Sequence, residues 1–375
     1  MSNQVRRTNM IPVSEPVIEE QDARMVERAI RSGFVSSKGE FITVFESRFS
    51  SYCQARYGVA VCNGTAALHL ALAALGIKKG DEVIIPDLTF IATANAVRYC
   101  QAKPVPVDSE ASTWCIDPEK AAGAITKRTK AIIPVHLYGH PANLERLLEI
   151  AESAGIFVVE DAAEAHGAEI KGKRVGGIGD IGCFSFYGNK ILTTGEGGMC
   201  VTNRPELEEK MRILRDHGMD PKRKYWHPYV GYNYRMTNLQ AALGVAQLQK
   251  ISRILESKRR NAALYSRAFE ASDLVTLPPE ADWGKNVYWM YSILVNKGGQ
   301  TARDRLIERL LEAEIESRPF FYLIHTQPPY KGLARRRTPV AANLSRRGVN
   351  LPSSPLLTEN EITHVAETVV KILKS

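Results

Sequence analysis

The sequence lacks the long hydrophobic runs that secretion and membrane insertion require. Residues 1–21 scatter arginine and glutamate along their length and contain no apolar core of a signal peptide. The most apolar stretch, residues 66–77, includes His69 and is shorter than the about 20 residues that cross a bilayer. These absences predict a cytoplasmic protein that is not exported and does not enter a membrane.

Cysteine is scarce and widely spaced. No C-x-x-C pair occurs, and no histidine lies beside a cysteine at the spacing of metal ligands. The six cysteines are Cys53, Cys62, Cys100, Cys115, Cys183 and Cys200. This pattern predicts neither a metal site nor a disulfide framework.

A nucleic-acid-binding motif is also missing, although the formal net charge is +8. The basic runs are spread over the last part of the chain, at 222–224, 258–260, 335–337 and 346–347. We interpret them as solvated faces, or as part of a pocket for an acidic small substrate, and expect no nucleic-acid partner.

The composition is that of an ordinary globular protein, with 44% hydrophobic and 24% charged residues and no internal repeat. A chain of 375 residues is too long for one small core. We therefore predict a large domain over residues 1–250 and a smaller one over residues 251–375.

Strand-like and helix-like segments alternate from Tyr57 onward. The predicted strands are 58–62, 82–85, 104–108, 131–135, 156–159, 183–185 and 198–201, and the first helices are 64–75 and 91–100. This order predicts an α/β fold with a mostly parallel sheet and helices on both faces. Ligands of such sheets collect at the carboxyl ends of the strands.

The C-terminal third has a different pattern. A long helical pattern runs from Asn238 to about Tyr265. The extended segment 287–295 follows, then helical segments at 303–314 and 359–373, which together predict the smaller α+β domain.

Segment 180–198 follows a strand and ends in a glycine-rich turn. Lys190 lies in it beside small residues and the hydroxyl of Ser185. Such a lysine could hold a carbonyl cofactor as an imine while the hydroxyl binds the cofactor phosphate. The alternative is a surface lysine beside a turn.

Two further segments support a cofactor site. Asp161 ends a predicted strand, where a carboxylate could pair with a protonated pyridine nitrogen or simply cap the next helix. Segment 62–69 turns through Gly64 into a helix, whose free N–H groups suit a phosphate. We interpret His69 as a helix-face or core residue. In chain order, these segments supply a phosphate cradle, a pyridine partner and a lysine.

The chain resembles, over essentially its whole length, the sugar aminotransferases of the DegT/DnrJ/EryC1/StrS family. The matching stretches are 63–72, 80–86, 160–167, 179–199 and 231–248. The resemblance implies the fold type I architecture, which is that of aspartate aminotransferase. It also implies a pyridoxal 5'-phosphate enzyme with Lys190 as the catalytic lysine, L-glutamate as amino donor and pyridoxamine 5'-phosphate as the intermediate cofactor form.

The same resemblance implies the cofactor contacts. Gly64, Thr65 and Ser185 should bind the phosphate, and Phe90 should stack on the ring. Asp161 should meet the pyridine nitrogen.

Glu164 should lie near the phenolic oxygen of the ring, at a position where many family members have glutamine. A hydrogen bond between the two groups requires a proton on one of them. Asn233 resembles the asparagine that reaches the phosphate of the neighbouring subunit, which implies a homodimer with shared active sites.

Segments 34–39, 217–221, 288–290, 316–319 and 325–330, with Tyr225 and Trp226, resemble the members that aminate C4 of GDP-4-keto-6-deoxy-mannose. The products of those members enter O-antigen or other surface polysaccharides. The candidate substrate contacts are Ser36, Arg235, Trp289, Arg318 and His325.

Several of these candidates could instead have purely structural roles. Trp226 and Trp289, taken singly, are read as core aromatics. Arg235 and Arg318 could pair with structural carboxylates instead of a substrate anion, and His325 could be structural.

Three other functions stay open. The substrate could be a UDP-linked or dTDP-linked ketosugar. A dehydratase of the same family carries histidine in place of the lysine, which Lys190 argues against. A non-catalytic cofactor-binding regulator would need a DNA-binding domain, and no segment resembles one.

Overall fold

The computed structural model describes residues 10–333 and 337–375. The helices are α1 (Glu20–Arg31), α2 (Glu40–Tyr52), α3 (Gly64–Ala74), α4 (Ala92–Tyr99), α5 (Pro118–Ala124), α6 (Leu144–Ala154), α7 (Pro205–Arg215), α8 (Asn238–Gln249), α9 (Ile251–Phe269), α10 (Gly299–Glu312), α11 (Pro339–Arg347) and α12 (Glu359–Lys374). Short 3₁₀ turns cover Leu137–Gly139, Ile324–Thr326 and Pro328–Tyr330. Arg335 and Arg336 of one predicted basic run lie outside the described residues.

The strands form three sheets. They are β1 (Tyr57–Val61), β2 (Glu82–Pro86), β3 (Lys103–Val107), β4 (Thr129–Ile132), β5 (Phe157–Asp161), β6 (Glu169–Ile170), β7 (Lys173–Arg174), β8 (Ile181–Ser185), β9 (Gly198–Thr202), β10 (Val275–Thr276), β11 (Gly284–Lys285), β12 (Tyr291–Val295), β13 (Arg318–Pro319) and β14 (Gly348–Leu351).

The central sheet has seven strands in the order β1-β9-β8-β5-β4-β2-β3. Neighbouring strands from β3 to β8 pair in parallel, whereas β9 runs antiparallel to both β8 and β1. The predicted α/β fold with a mostly parallel sheet is confirmed.

Both faces of this sheet are buried, as in other parallel sheets covered by helices. In β2, Ile84 packs into one apolar cluster, and Val83 and Ile85 pack into a second cluster on the opposite face. The first cluster includes side chains of α2 and α8, and the second includes those of α3, α4 and α7. Burying each of these branched side chains contributes about 1.5–3 kcal/mol.

Side-chain caps begin several helices, and each such cap contributes about 1 kcal/mol. The capping residues are Asn63, Asp117, Asn143, Thr237 and Thr358. Asn63 matters most for the site, because it fixes the start of α3.

The C-terminal region has its own four-stranded antiparallel sheet, β10-β12-β14-β13, and a third apolar cluster. The predicted domain boundary at residue 250 falls between α8 and α9 and stays a prediction. The predicted helical pattern from Asn238 to about Tyr265 is divided at Lys250 into α8 and α9. Lys250 leaves the helical conformation at φ −110° and ψ 8°, and its ammonium pairs with buried Asp22 of α1.

Across the described ranges, no helix combines the length and the apolar character needed to cross a membrane.

Candidate active site

The start of α3 and the end of β8 form an anion cradle. Asn63 Oδ1 accepts the N–H of Ala66 at 2.8 Å, and the first N–H groups of the helix, at Gly64 and Thr65, have no intrahelical acceptor. A Cβ at Gly64 would lie 2.7 Å from Cβ of Ser185. The helix end can therefore approach the Ser185 hydroxyl only because residue 64 is glycine, and the cradle fits a phosphate.

Asp161 ends β5, at the carboxyl edge of the sheet. Its side chain is 5% exposed and accepts hydrogen bonds from Thr93 Oγ1 at 2.8 Å and from the N–H of Ala163 at 3.3 Å. Burial raises the pKa of Asp161, while these hydrogen bonds and the charge of Lys190 lower it. A buried carboxylate of this kind favours a cationic partner, and a protonated pyridine nitrogen fits it.

Lys190 lies in the loop between β8 and β9, with its side chain 11% exposed. The Nζ atom is 3.9 Å from Glu164 Oε1 and 3.6 Å from the ring centroid of Trp289. Burial lowers the pKa of the Lys190 amine, while Glu164 and Asp161 raise it. A lysine acts as a base only when neutral, and burial favours that form.

Glu164 is buried beside this amine. Its Oε2 accepts the N–H of Tyr138 at 2.8 Å. Burial raises the pKa of Glu164 to about 7, against the opposing charge of Lys190. The carboxyl group can therefore carry a proton near neutral pH, and in that form it can donate a hydrogen bond as a glutamine amide would.

Phe90 follows β2 at the same edge of the sheet. Its ring is 55% exposed and lies 5.7 Å from the ring of Phe321. An exposed aromatic face in this place fits stacking on a planar ring.

Two residues near the predicted cofactor contacts were missed from the sequence. Thr93 binds Asp161, and its place in the first turn of α4, three residues after Phe90, was a usable signal. Tyr138 binds Glu164 and stacks on Trp289 with centroids 6.4 Å apart. Its left-handed backbone, at φ 53°, gives no signal in the sequence.

Trp289 approaches Lys190 from the C-terminal region, and Lys258 holds the backbone of Trp289. Trp289 is 6% exposed, and its Nε1–H donates to the carbonyl of Asn189 at 2.8 Å. Lys258 donates to the carbonyls of Trp289 and Ser353. The interpretation of run 258–260 as a solvated face is wrong for Lys258, which is 3% exposed because two carbonyls satisfy its amine.

Asn233 and Arg235 lie together, apart from the contacts of Lys190. Arg235 donates to Asn233 Oδ1 and Asp216 Oδ1, each at 2.9 Å. The side chain of Asn233 is exposed. Trp226 in the preceding loop is 51% exposed and contacts Arg223, so its reading as a core aromatic is wrong.

The other predicted substrate contacts have partners or exposed positions. Arg318 pairs with Glu316 at 2.9 Å. His325 donates from Nδ1 to the buried carboxylate of Asp87 at 2.5 Å, and Nε2 has no hydrogen bond to any of the described residues. Ser36 is exposed, before α2.

Within the described part of the chain, no group of three or more acidic, histidine or cysteine side chains could hold a metal ion.

Comparison with known proteins decides the family. The sequence pattern of the DegT/DnrJ/EryC1/StrS aminotransferase family matches residues 16–370. The chain belongs to this family. Membership confirms the predicted fold type, the aminotransferase chemistry and the pyridoxal phosphate cofactor, and the residues described above fit that cofactor.

Similar proteins include two GDP-perosamine synthases. The one from Caulobacter vibrioides is 46% identical over 97% of this chain and 98% of its own. The one from Escherichia coli O157:H7 is 44% identical over 96% and 97%. A UDP-N-acetyl-3-dehydro-α-D-glucosamine 3-aminotransferase from Acidithiobacillus ferrooxidans is 41% identical over 84% of each chain.

A solved structure agrees with the fold. A putative sugar aminotransferase from Streptococcus pneumoniae in its PMP form superposes with a TM-score of 0.93 at 28% identity, covering 97% of this chain and 98% of its own.

Proposed function

We propose that this DegT/DnrJ/EryC1/StrS family member transfers an amino group from L-glutamate to C4 of GDP-4-keto-6-deoxy-D-mannose and so produces GDP-perosamine. The observation that carries the proposal is the 46% identity to a GDP-perosamine synthase over nearly both whole chains. We further propose that the protein is a cytoplasmic homodimer and that its product enters the O-antigen of lipopolysaccharide or another surface polysaccharide.

The cofactor contacts follow from the site. Gly64, Thr65 and Ser185 would hold the phosphate, Asp161 the ring nitrogen, and Lys190 the aldehyde carbon. Phe90 would cover the ring, and Glu164 would meet its phenolic oxygen. When bound, pyridoxal phosphate supplies a carbonyl that takes up the amino group and a ring that delocalises electrons.

Lys190 would move the protons. Its neutral Nζ accepts the α-proton of glutamate and returns a proton to C4 of the sugar in the second half of the cycle. Its burial favours the neutral form that both steps require. Asp161, as a carboxylate, keeps the ring nitrogen protonated.

The nucleotide sugar would be held by groups with unused hydrogen-bonding atoms or exposed faces. With Nδ1 donating to Asp87, Nε2 of His325 could accept a hydrogen bond from a sugar hydroxyl, and the hydroxyl of Ser36 could donate to a sugar or phosphate oxygen. Arg235 and Arg318 could bind the substrate only while also pairing with Asp216 and Glu316. Trp289 is the remaining candidate contact. Asn233 would reach the phosphate of the partner subunit, which would make the active site a shared one.

A UDP-linked ketosugar is the second candidate substrate, because a UDP-sugar aminotransferase is 41% identical. A dTDP-linked sugar and a non-catalytic regulator rank below it. The regulator is supported by 38% identity to a protein named pleiotropic regulatory protein, from Geobacillus stearothermophilus.

An absorbance titration tests the proposal. The purified protein is loaded with pyridoxal phosphate, converted with L-glutamate to the pyridoxamine form, and then offered GDP-4-keto-6-deoxy-mannose and the UDP and dTDP ketosugars. We expect the visible band to return only with the GDP sugar. If the band returns with another sugar, that sugar is the substrate and the proposed GDP sugar is not. If glutamate causes no change, the aminotransferase reaction with that donor is refuted. Lys190→Ala is the control and should lose both half-reactions.

A further inference from the structure

We propose that Trp289 is a positioning residue for Lys190, whose indole face binds the protonated amine and thereby sets the pH at which the amine becomes a base. This role differs from substrate binding, and it rests on the proposed role of Lys190. Nζ of Lys190 lies 3.6 Å from the centroid of the Trp289 ring, well within the range of a cation–π contact.

Three contacts hold Trp289 in place, two of them through its ring. Its Nε1–H donates to the carbonyl of Asn189, the residue before Lys190, at 2.8 Å. The backbone carbonyl of Trp289 accepts a hydrogen bond from Lys258 at 2.9 Å. The ring of Tyr138 stacks on the indole at an interplanar angle of 22°. The ring therefore has little freedom to leave Lys190.

The backbone at Trp289 is also held by close packing. Gly139 has φ +110°, and a Cβ there would lie 2.7 Å from the backbone nitrogen of Trp289. Any side chain at residue 139 would push the tryptophan segment away. The contact between Lys190 and Trp289 is therefore fixed by backbone packing as well as by side-chain hydrogen bonds.

The charged groups around Lys190 do not replace this contact. Glu164 lies 3.9 Å away, and Asp161 acts on the amine from the end of β5. His166 is fully buried, and burial lowers its pKa to about 3, so it is neutral. Lys258 lies behind Trp289, where burial lowers its pKa to about 7. Both carboxylates are also proposed contacts of the cofactor, whereas the indole face needs no proton or partner of its own.

The experiment measures the amine in the full chain freed of cofactor. Protein is mixed with pyridoxal phosphate at a series of pH values, the rate of the visible absorbance change is recorded, and borohydride trapping with peptide mapping identifies the lysine. The variants are Trp289→Leu, which removes the π face, and Trp289→Phe, which keeps a weaker one. Trp283→Leu, at a partly buried tryptophan packed against His140, is the matched control.

Loss of the indole should make the neutral amine easier to form. For Trp289→Leu we expect the rate below the midpoint pH to rise on the order of tenfold and the midpoint to move to lower pH. Trp289→Phe should give a smaller change in the same direction, and Trp283→Leu none. If the maximum rate at high pH falls but the midpoint pH of the rate profile does not change, the indole contributes only packing. That result would overturn the proposal.

The two proposals fail separately. Wild-type protein that does not attach the cofactor at Lys190 refutes the proposed catalytic site. If wild-type protein does attach the cofactor at Lys190, but Trp289→Phe and any folded Trp289→Leu have the same midpoint pH as the wild type, only the role of Trp289 is refuted.

Discussion

Replacing Glu164 with glutamine should shift the ionisation of Lys190 to lower pH. The carboxylate oxygen lies 3.9 Å from Nζ of Lys190. At an effective dielectric constant of about 20, this separation gives an attraction of about 4 kcal/mol, or about three pH units as an upper limit. The amine is partly exposed and Glu164 carries a proton part of the time near pH 7, so we expect a shift of about one to two units.

The assay is the pH dependence of cofactor attachment by cofactor-free protein, from about pH 6 to about pH 10. Wild-type protein should show two ionisations, one near pH 7 from Glu164 and one from Lys190. Glu164→Gln should lose the first and move the second downward. Glu110→Gln removes another carboxyl group whose pKa burial raises, and it should change neither. An unchanged or raised midpoint in Glu164→Gln would refute the electrostatic reasoning.

Three further predictions follow from the contacts. Asp161→Asn should slow the half-reaction with glutamate by about 10-fold to 100-fold, because a charged hydrogen bond to the ring nitrogen is lost. Stopped-flow absorbance measures this rate, and an unchanged rate would mean that Asp161 is not the partner of the ring nitrogen. Gly64→Ala should weaken cofactor binding at least about tenfold, because the new methyl group would lie 2.7 Å from Cβ of Ser185. In Gly188→Ala the new methyl group would meet no atom of the described residues within 4 Å, so this control should bind the cofactor normally in a fluorescence titration. Lys258 has a pKa of about 7 when folded and about 10.4 when unfolded, so between these values the unfolded chain binds the extra proton and folding becomes more favourable as pH rises. Relative to Lys258→Met, the wild-type free energy of unfolding should rise by up to about 1.4 kcal/mol per pH unit. If urea denaturation shows that the difference between the two proteins does not change with pH, the argument from burial of Lys258 is wrong.

Hydrophobic patterning predicted most of the central sheet, because its strands contain short apolar runs, such as residues 83–86 of β2 between Glu82 and Asp87. The predicted strand at 131–135 is misplaced, because β4 covers Thr129–Ile132. Pro134 extends the apolar run but has no N–H for the ladder, and the strand stops before it. The break at Lys250 was missed because the helical periodicity continues on both sides of it.

The sequence predicted the site residues that follow strands of the sheet, but it did not predict contacts between segments distant in the chain. Asp161 and Lys190 follow predicted strands at the carboxyl edge of a parallel sheet, where ligand groups are expected. Contact between Trp289 and Lys190 joins segments about a hundred residues apart, and no spacing rule relates them. Burial of Lys258 was hidden because its two basic neighbours made the segment look solvated.

The pairing of β1 with β9 has a consequence for how the chain folds. Tyr57 pairs with Thr202, so the strand that leads into the phosphate cradle has no hydrogen-bonding neighbour until more than half of the polypeptide has left the ribosome. Closing so long a loop costs more entropy than a local pairing and makes this pairing a late event. Until then β1 is an open strand edge, which other chains could pair with. A nascent chain stalled before β9 should therefore aggregate and bind no cofactor, and co-translational capture of pyridoxal phosphate should begin only after β9 has emerged.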